Sequence, residues 1–291
     1  MENRLGVDEG GREMYKMIAC DLDETLLSDS RMISRENIEA IRLAKQNGVK
    51  FVPATGRGYR TVQGTLKTLG LYDEEGEYVI SFNGGAITEN KNNRLLEFTG
   101  ISYELTEKLF RFGLKYDVCI HIYTSEDVYL YHLNEEESRY LKGRMDGCIE
   151  MANADIAFLK EAPLVKVLYQ NLDLGLLNRI KDDITCITDG NVSVSFSANR
   201  YIEFNQIGVD KGEGLIKLAN HLGIAREETI AIGDNLNDAS MIQAAGLGVC
   251  VKNAVEEMKP TAGYVCKSTN NENAIAEVIE KFILDHNHEG G

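Results

Sequence analysis

Four short stretches of the chain carry residue types that chemistry can use. The first is Asp21-Leu22-Asp23-Glu24-Thr25, directly after the apolar run MIAC. Side chains two apart on an extended segment point to the same side, so Asp21 and Asp23 can face one space. Carboxylates that share a space repel unless a cation, a common proton or a phosphoryl group lies between them. The alternative is a solvated pair of loop acids. The second stretch, Asp234-Asn235-Leu236-Asn237-Asp238, follows TIAIG and carries acids four apart; by itself it is also a glycine turn running into an Asn/Asp helix cap. The third is Thr55-Gly56-Arg57 after FVPA, a hydroxyl and a free backbone N–H that by themselves open a helix. The fourth is Lys211, which in isolation is a solvated lysine at a helix start. Taken as a set they supply a carboxylate nucleophile, a second acid, hard oxygen ligands for Mg²⁺, a hydroxyl and a fixed cation. Phosphoryl transfer needs these parts, because spread negative charge must be neutralised and an in-line attack positioned.

Such residues serve only if the elements around them bring them together. KMIAC (16–20), KFVPA (50–54) and YVIS (78–81) read as short buried strands, separated by a helix from the Ser34 cap to Asn47 and another near 59–69. Strand and helix in alternation predict a parallel sheet covered by helices, whose ligands bind beyond the carboxyl ends of the strands. The texture changes after about residue 88. VCIHIYT and DVYLYHL predict a hairpin, and PLVKVLYQ, a helix near 173–182, NVSVSFS and YIEFNQ predict a separate α+β module. From Asp210 the helix and buried-strand alternation returns, with a last helix from about Glu272. The expected organisation is a polar extension over 1–14, a discontinuous α/β core over 15–87 and 200–291, and an inserted module over 88–199.

Composition bounds the class. The chain has 291 residues, 43% of them hydrophobic and 26% charged, which is ordinary for a packed globular protein and excludes disorder or a disulfide-stapled miniprotein. The formal charge of −15, with no concentrated basic face, argues against a nucleic-acid partner. No apolar run is long enough for a membrane span, and MENRLGVDEGGRE lacks the apolar stretch of a signal peptide, so a cytoplasmic protein is expected. Cys20, Cys119, Cys148, Cys186, Cys250 and Cys266 are widely spaced and predict buried, reduced thiols.

The ordered set DLDETLL, TGR, DK and GDNLND resembles the haloacid dehalogenase-like hydrolase superfamily. The module placed after YVISFNGGAI resembles that of its Cof-type branch, with an α+β cap inserted into a Rossmann-like core. The likeness covers about Lys16 to Phe282. It implies Mg²⁺-dependent hydrolysis of small phosphorylated metabolites, sugar phosphates foremost, through an aspartyl-phosphate. Matched motif by motif, Asp21 would attack phosphorus, and Asp23 would protonate the leaving oxygen and then activate water. Mg²⁺ would be held by Asp21, the backbone carbonyl of Asp23 and Asp234, with Asp238 as ligand or support. Leu22, Thr55, Gly56, Lys211 and Asn237 would bind phosphoryl oxygens, Asn83 and Gly84 would border the substrate, and Arg57 would either orient substrate or pair with surface acids.

The chain departs from the family pattern at Glu24, where glycine is usual, and in NNENAIAEVI, which lacks the Asp-Gly usual before the last helix. In the cap, His121, Tyr123, Tyr129 and Tyr131 lie on adjoining strands, either to meet sugar hydroxyls or to pack the cap sheet. NEEES (134–138) reads as a solvated helix start, and His286 and His288 as part of a frayed tail. A phosphomutase acting on hexose phosphates uses the same intermediate. From a different class, a phospho-Asp signalling module or a phosphosugar-binding protein shares several of these residues.

Overall fold

The computed structural model describes residues 15–143, 145 and 147–284; the extension expected over 1–14 and the tail with His286 and His288 lie outside them. β1 (Met17–Cys20) is buried at every position, as a central strand covered on both faces must be. α1 (Arg35–Gln46) starts from Ser34, whose side chain accepts from the Asn37 amide. After β2 (Lys50–Pro53) the helix expected over 59–69 opens as a 3₁₀ turn, Tyr59–Val62, before becoming α2 (Gln63–Leu69).

β3 (Tyr78–Ser81) corrects two expectations. It is joined to the segment just past β2 by an isolated parallel bridge, Ala54 with Ile80, and turns back into antiparallel β4 (Ala86–Glu89). With β5 (Arg94–Phe98) these strands make their own three-stranded sheet, so the chain does not leave its first unit at residue 88. The described residues up to Glu97 and from Asp210 onward form one compact unit, and Phe98–Val209 forms the other. Strand pairing places both boundaries later than the expected 88 and 199.

The second unit runs through α3 (Tyr103–Gly113), β6 (Cys119–Thr124), β7 (Val128–Tyr131), α4 (Glu135–Leu141), β8 (Cys148–Met151), β9 (Leu164–Gln170), α5 (Leu174–Asp183), the single turn α6 (Thr185–Thr188), β10 (Val192–Ser197) and β11 (Tyr201–Gln206). Its six strands order as β10-β11-β9-β6-β7-β8, and the predicted hairpin is β6–β7. Alternate positions such as Ile120, Ile122, Val167, Tyr169, Ile202 and Phe204 join Leu109, Phe110, Leu177 and Ile180 in one buried core. Tyr129 and Tyr131 pack against that core, edge-on to Phe158 and Phe110 at 5.1 and 5.4 Å. The stretch 134–138 is not solvated throughout. Glu137 is fully buried, accepts from the Tyr201 hydroxyl at 2.6 Å and pairs with Arg200 at 2.8 Å. His121, also fully buried, lies 3.4 Å from Glu137, and burial pushes its pKa down to about 3.

Returning to the first unit, the chain forms α7 (Lys211–Leu222), β12 (Thr229–Gly233), α8 (Ala239–Ala244), β13 (Leu247–Cys250), β14 (Tyr264–Val265) and α9 (Ala274–Ile279). The parallel sheet orders as β14-β13-β12-β1-β2, with Cys20 opposite Ile232. The turn lacking Asp-Gly closes with Asn273 at φ 70, a conformation asparagine tolerates better than most residues. Cys20, Cys119, Cys250 and Cys266 are buried thiols as expected, whereas Cys148 is half-buried and Cys186 exposed. Among the described residues no helix is long and apolar enough to cross a membrane.

Candidate active site

Adjacent parallel strands end together, and the pairing of β1 with β12 sets Asp21 beside Gly233 and Asp234 at the carboxyl edge of the sheet. The Asp21 amide donates to the Ile232 carbonyl at 2.9 Å, which extends the ladder to Asp21 itself. Asp238 folds back over the same edge. Its Oδ2 accepts from the Asp234 and Asn235 amides at 3.1 and 3.2 Å. That turn is tight enough to need Gly233, since a Cβ there would lie 2.5 Å from the Asp238 Cβ. The outcome is three buried carboxyl groups, Asp21, Asp234 and Asp238, each offering an oxygen within 4.8 Å of the others.

Lys211, at the start of α7, reaches into this group. It is fully buried, donates to Asp238 Oδ1 at 2.6 Å and also to Asp21 Oδ1. Burial works against its ammonium, but Asp21 and Asp238 outweigh burial and hold its pKa above the ordinary lysine value. One ammonium cannot balance three carboxylates. Burial, with Asp238 and Asp234 nearby, pushes the Asp21 carboxyl up to about 7 despite Lys211. Burial likewise raises Asp234 to about 6, opposed by the Thr25 hydroxyl and assisted by Asp238 and Glu24. With all three acids ionised, two negative charges stay uncompensated, and the donors are all hard oxygens. Both features fit a divalent cation such as Mg²⁺.

Asp23 stands apart from this group by its side chain. Its carboxylate is half exposed and is gripped by the Arg57 guanidinium, Nε donating to Oδ2 at 2.9 Å and an Nη to Oδ1. Thr55 is buried at the end of β2, and its hydroxyl accepts from the Arg57 amide at 3.1 Å. The 55–57 loop is laced to the turn after β3: the Asn83 amide donates to the Thr55 carbonyl at 2.9 Å and the Phe82 amide to the Arg57 carbonyl at 3.0 Å. Phe82 and Asn83 both hold positive φ, 52° and 54°, and the Asn83 side-chain oxygen is buried without a partner beside Gly56. Strained backbone and an unpartnered polar atom of this kind gather at binding sites. Gly84 has a packing reason instead, because at φ 94 a Cβ would lie 2.0 Å from the Asp210 carbonyl oxygen. Leu22 is buried and its carbonyl accepts from Leu27, while Asn237 is exposed on the Asp234–Asp238 turn.

One participant escaped sequence reasoning. The buried Thr25 hydroxyl donates to Asp234 Oδ1 at 2.6 Å, tying the loop after β1 to the acid after β12. Its only signal in the sequence is its place two residues beyond Asp23.

A family profile described as haloacid dehalogenase-like hydrolase matches residues 18–279. The 5-amino-6-(5-phospho-D-ribitylamino)uracil phosphatase YcsE of Bacillus subtilis is 31% identical, the match covering 92% of this chain and 96% of that one. Phosphatase YwpJ of the same organism is 28% identical over 92% of this chain and its whole length. A crystal structure of a haloacid dehalogenase-like hydrolase from Bacteroides thetaiotaomicron superposes with a TM-score of 0.81 at 30% identity, covering 92% of this chain and all of the other.

Proposed function

The chain belongs to the haloacid dehalogenase-like hydrolases, and from that premise we propose that it is a phosphatase. Its substrates are monoesters of small phosphorylated metabolites, sugar phosphates foremost, in the cytoplasm. The observation that carries this reading is the buried triad Asp21, Asp234 and Asp238 with a single lysine among them, at the edge where β1 and β12 end.

Asp21 is the nucleophile. One carboxylate oxygen bonds to phosphorus as the bond from phosphorus to the ester oxygen breaks, leaving an aspartyl-phosphate and an alcohol. Asp23 gives the proton to the leaving oxygen and then takes one from the water that releases phosphate. An incoming ester oxygen must compete with Arg57 for Asp23, so Arg57 holds the acid in place until substrate arrives. The Thr55 hydroxyl, the Leu22 and Gly56 amides, Lys211 and Asn237 hold phosphoryl oxygens. Asp21, Asp234, the Asp23 carbonyl and Asp238 would hold Mg²⁺, which would supply the positive charge that an anionic ester needs to approach an acidic protein. The half-exposed Asp23 carboxylate is open to water, which favours hydrolysis over a phosphomutase.

The test is phosphate release from p-nitrophenyl phosphate and a panel of sugar phosphates with Mg²⁺, compared with Asp21→Asn. An amide cannot form the acyl phosphate, so the variant should fall by at least about 10³-fold, as loss of a covalent nucleophile does elsewhere. Turnover surviving in the variant rejects the nucleophile. Isomerisation of hexose phosphates without phosphate release turns the assignment to a mutase, and an aspartyl-phosphate lasting minutes turns it to a signalling module.

A further inference from the structure

The loop that carries Asp23 is held in a conformation its own residues do not favour. Glu24 is exposed, is not glycine, and has φ 60, a region in which L-residues meet steric resistance. A segment in such a state persists only where its surroundings fix it. Arg57 holds the Asp23 side chain and Thr25 is tied to Asp234, and the backbone itself is fixed by three asparagines near the other end of the chain. Asn253 Nδ2 donates to the Glu24 carbonyl at 2.8 Å, and Asn253 Oδ1 accepts from the Asn270 amide at 2.9 Å. Asn270 Nδ2 donates to the Leu27 carbonyl and to Asp29 Oδ1, both at 3.1 Å. Asn271 Oδ1 accepts from the Asp29 amide at 3.1 Å. The loop is thus gripped at Glu24, directly after Asp23, and again at Leu27 and Asp29.

We propose that Asn253, Asn270 and Asn271 are positioning residues, a clasp that sets the backbone on either side of Glu24 and thereby aims the Asp23 carboxyl at the leaving oxygen. This rests on the reading of Asp23 as proton donor. An amide is required at 253 because that side chain must offer a donor to a carbonyl and an acceptor to an N–H at once. Asn253→Asp keeps the shape and the acceptor and loses the donor, so it releases Glu24 without opening a cavity.

The experiment compares kcat/KM for p-nitrophenyl phosphate and for an alkyl phosphate monoester. Nitrophenolate leaves without a proton, whereas an alkoxide needs one. Asp23→Asn should lose the alkyl ester preferentially. Asn253→Asp should carry the same signature in milder form, about tenfold on the alkyl ester and about twofold or less on the nitrophenyl ester, as a misaimed acid predicts. Melting of each variant is followed alongside. Should Asn253→Asp not fold, Asn271→Ala, at an exposed position, decides by shifting the same ratio about twofold in the same direction. Equal losses on both esters, or no loss, while Asp23→Asn discriminates, overturn the clasp alone. An Asp23→Asn enzyme that does not discriminate overturns the acid reading and the clasp with it.

Discussion

Removing divalent metal should reverse the usual response of a protein to mild acid. Burial raises the Asp21 carboxyl from 3.8 to about 7 and Asp234 from 3.8 to about 6. The unfolded chain releases both protons near the ordinary value, while the folded chain keeps them to higher pH. Between those limits the folded state therefore binds more protons. Its stabilisation is complete below the unfolded pKa and is lost as pH rises through 6 and then 7. Each unit of pH spent between the two pKa values is worth about 1.4 kcal/mol. From about pH 5 to about pH 7, Asp234 contributes over roughly one unit and Asp21 over roughly two, about 4 kcal/mol if they act separately. The two acids share a cluster with Asp238 and Lys211, so about 2–4 kcal/mol is the working range. At about 2 °C per kcal/mol for a chain of this size, the metal-free protein should melt roughly 4–8 °C lower at the higher pH. Asp21→Asn cannot titrate there, and the wild-type minus variant difference isolates the site from the ordinary carboxylates. Mg²⁺ favours the ionised acids, so the gain in Tm on adding it should grow with pH. The assay is thermal melting in chelator and in Mg²⁺ at three pH values. A metal-free wild type that gains stability relative to Asp21→Asn as pH rises, or a Mg²⁺ gain that shrinks with pH, refutes the charge-deficit reasoning.

Two further outcomes follow from packing. Gly233→Ala puts a Cβ 2.5 Å from the Asp238 Cβ and 2.7 Å from its Oδ2; the forced shift should destabilise by about 1–3 kcal/mol in urea unfolding and lower kcat/KM for p-nitrophenyl phosphate about tenfold by moving Asp238 off Lys211. Glu137→Ala leaves the Arg200 charge without its buried partner and the Tyr201 hydroxyl without its acceptor, and should cost about 3–5 kcal/mol, read as an earlier urea midpoint.

How much of this was legible beforehand depends on the range of the interaction. β1, β2 and β12 announce themselves because a strand covered on both faces must be apolar throughout, and the acids stand out because polarity begins where the strand stops. α1 and α7 carry their caps, Ser34 and Asp210, within three residues of the amides they satisfy. β4 and β5 carry a weaker signal. AITE and RLLEF are short, and the pairing order β3-β4-β5, which no local pattern encodes, keeps them in the first unit. Glu137 was misjudged for a similar reason: three consecutive glutamates look solvated until Arg200 and Tyr201 arrive from β11 and the turn before it.

The site divides along the same line. Asp21, Asp234, Thr55 and Lys211 are marked by residue type at strand and helix ends, where chemistry and position coincide. What holds them is not so marked. Thr25 is bonded to a carboxylate 209 residues away, and Asn253 to a carbonyl 229 residues away. Neither bond has a period, a cap motif or a spacing, because each forms only after the sheet has brought distant loops to one edge. Glu24 shows the consequence. Glycine would accept the backbone at φ 60 on its own, whereas a glutamate there needs its carbonyl held from outside. Tolerance of a side chain at this position is therefore a property of Asn253 as much as of the loop. Asn253→Asp should weaken the Glu24 chain more than a Glu24→Gly chain, an interaction a double-mutant cycle in Tm and in the leaving-group ratio measures directly.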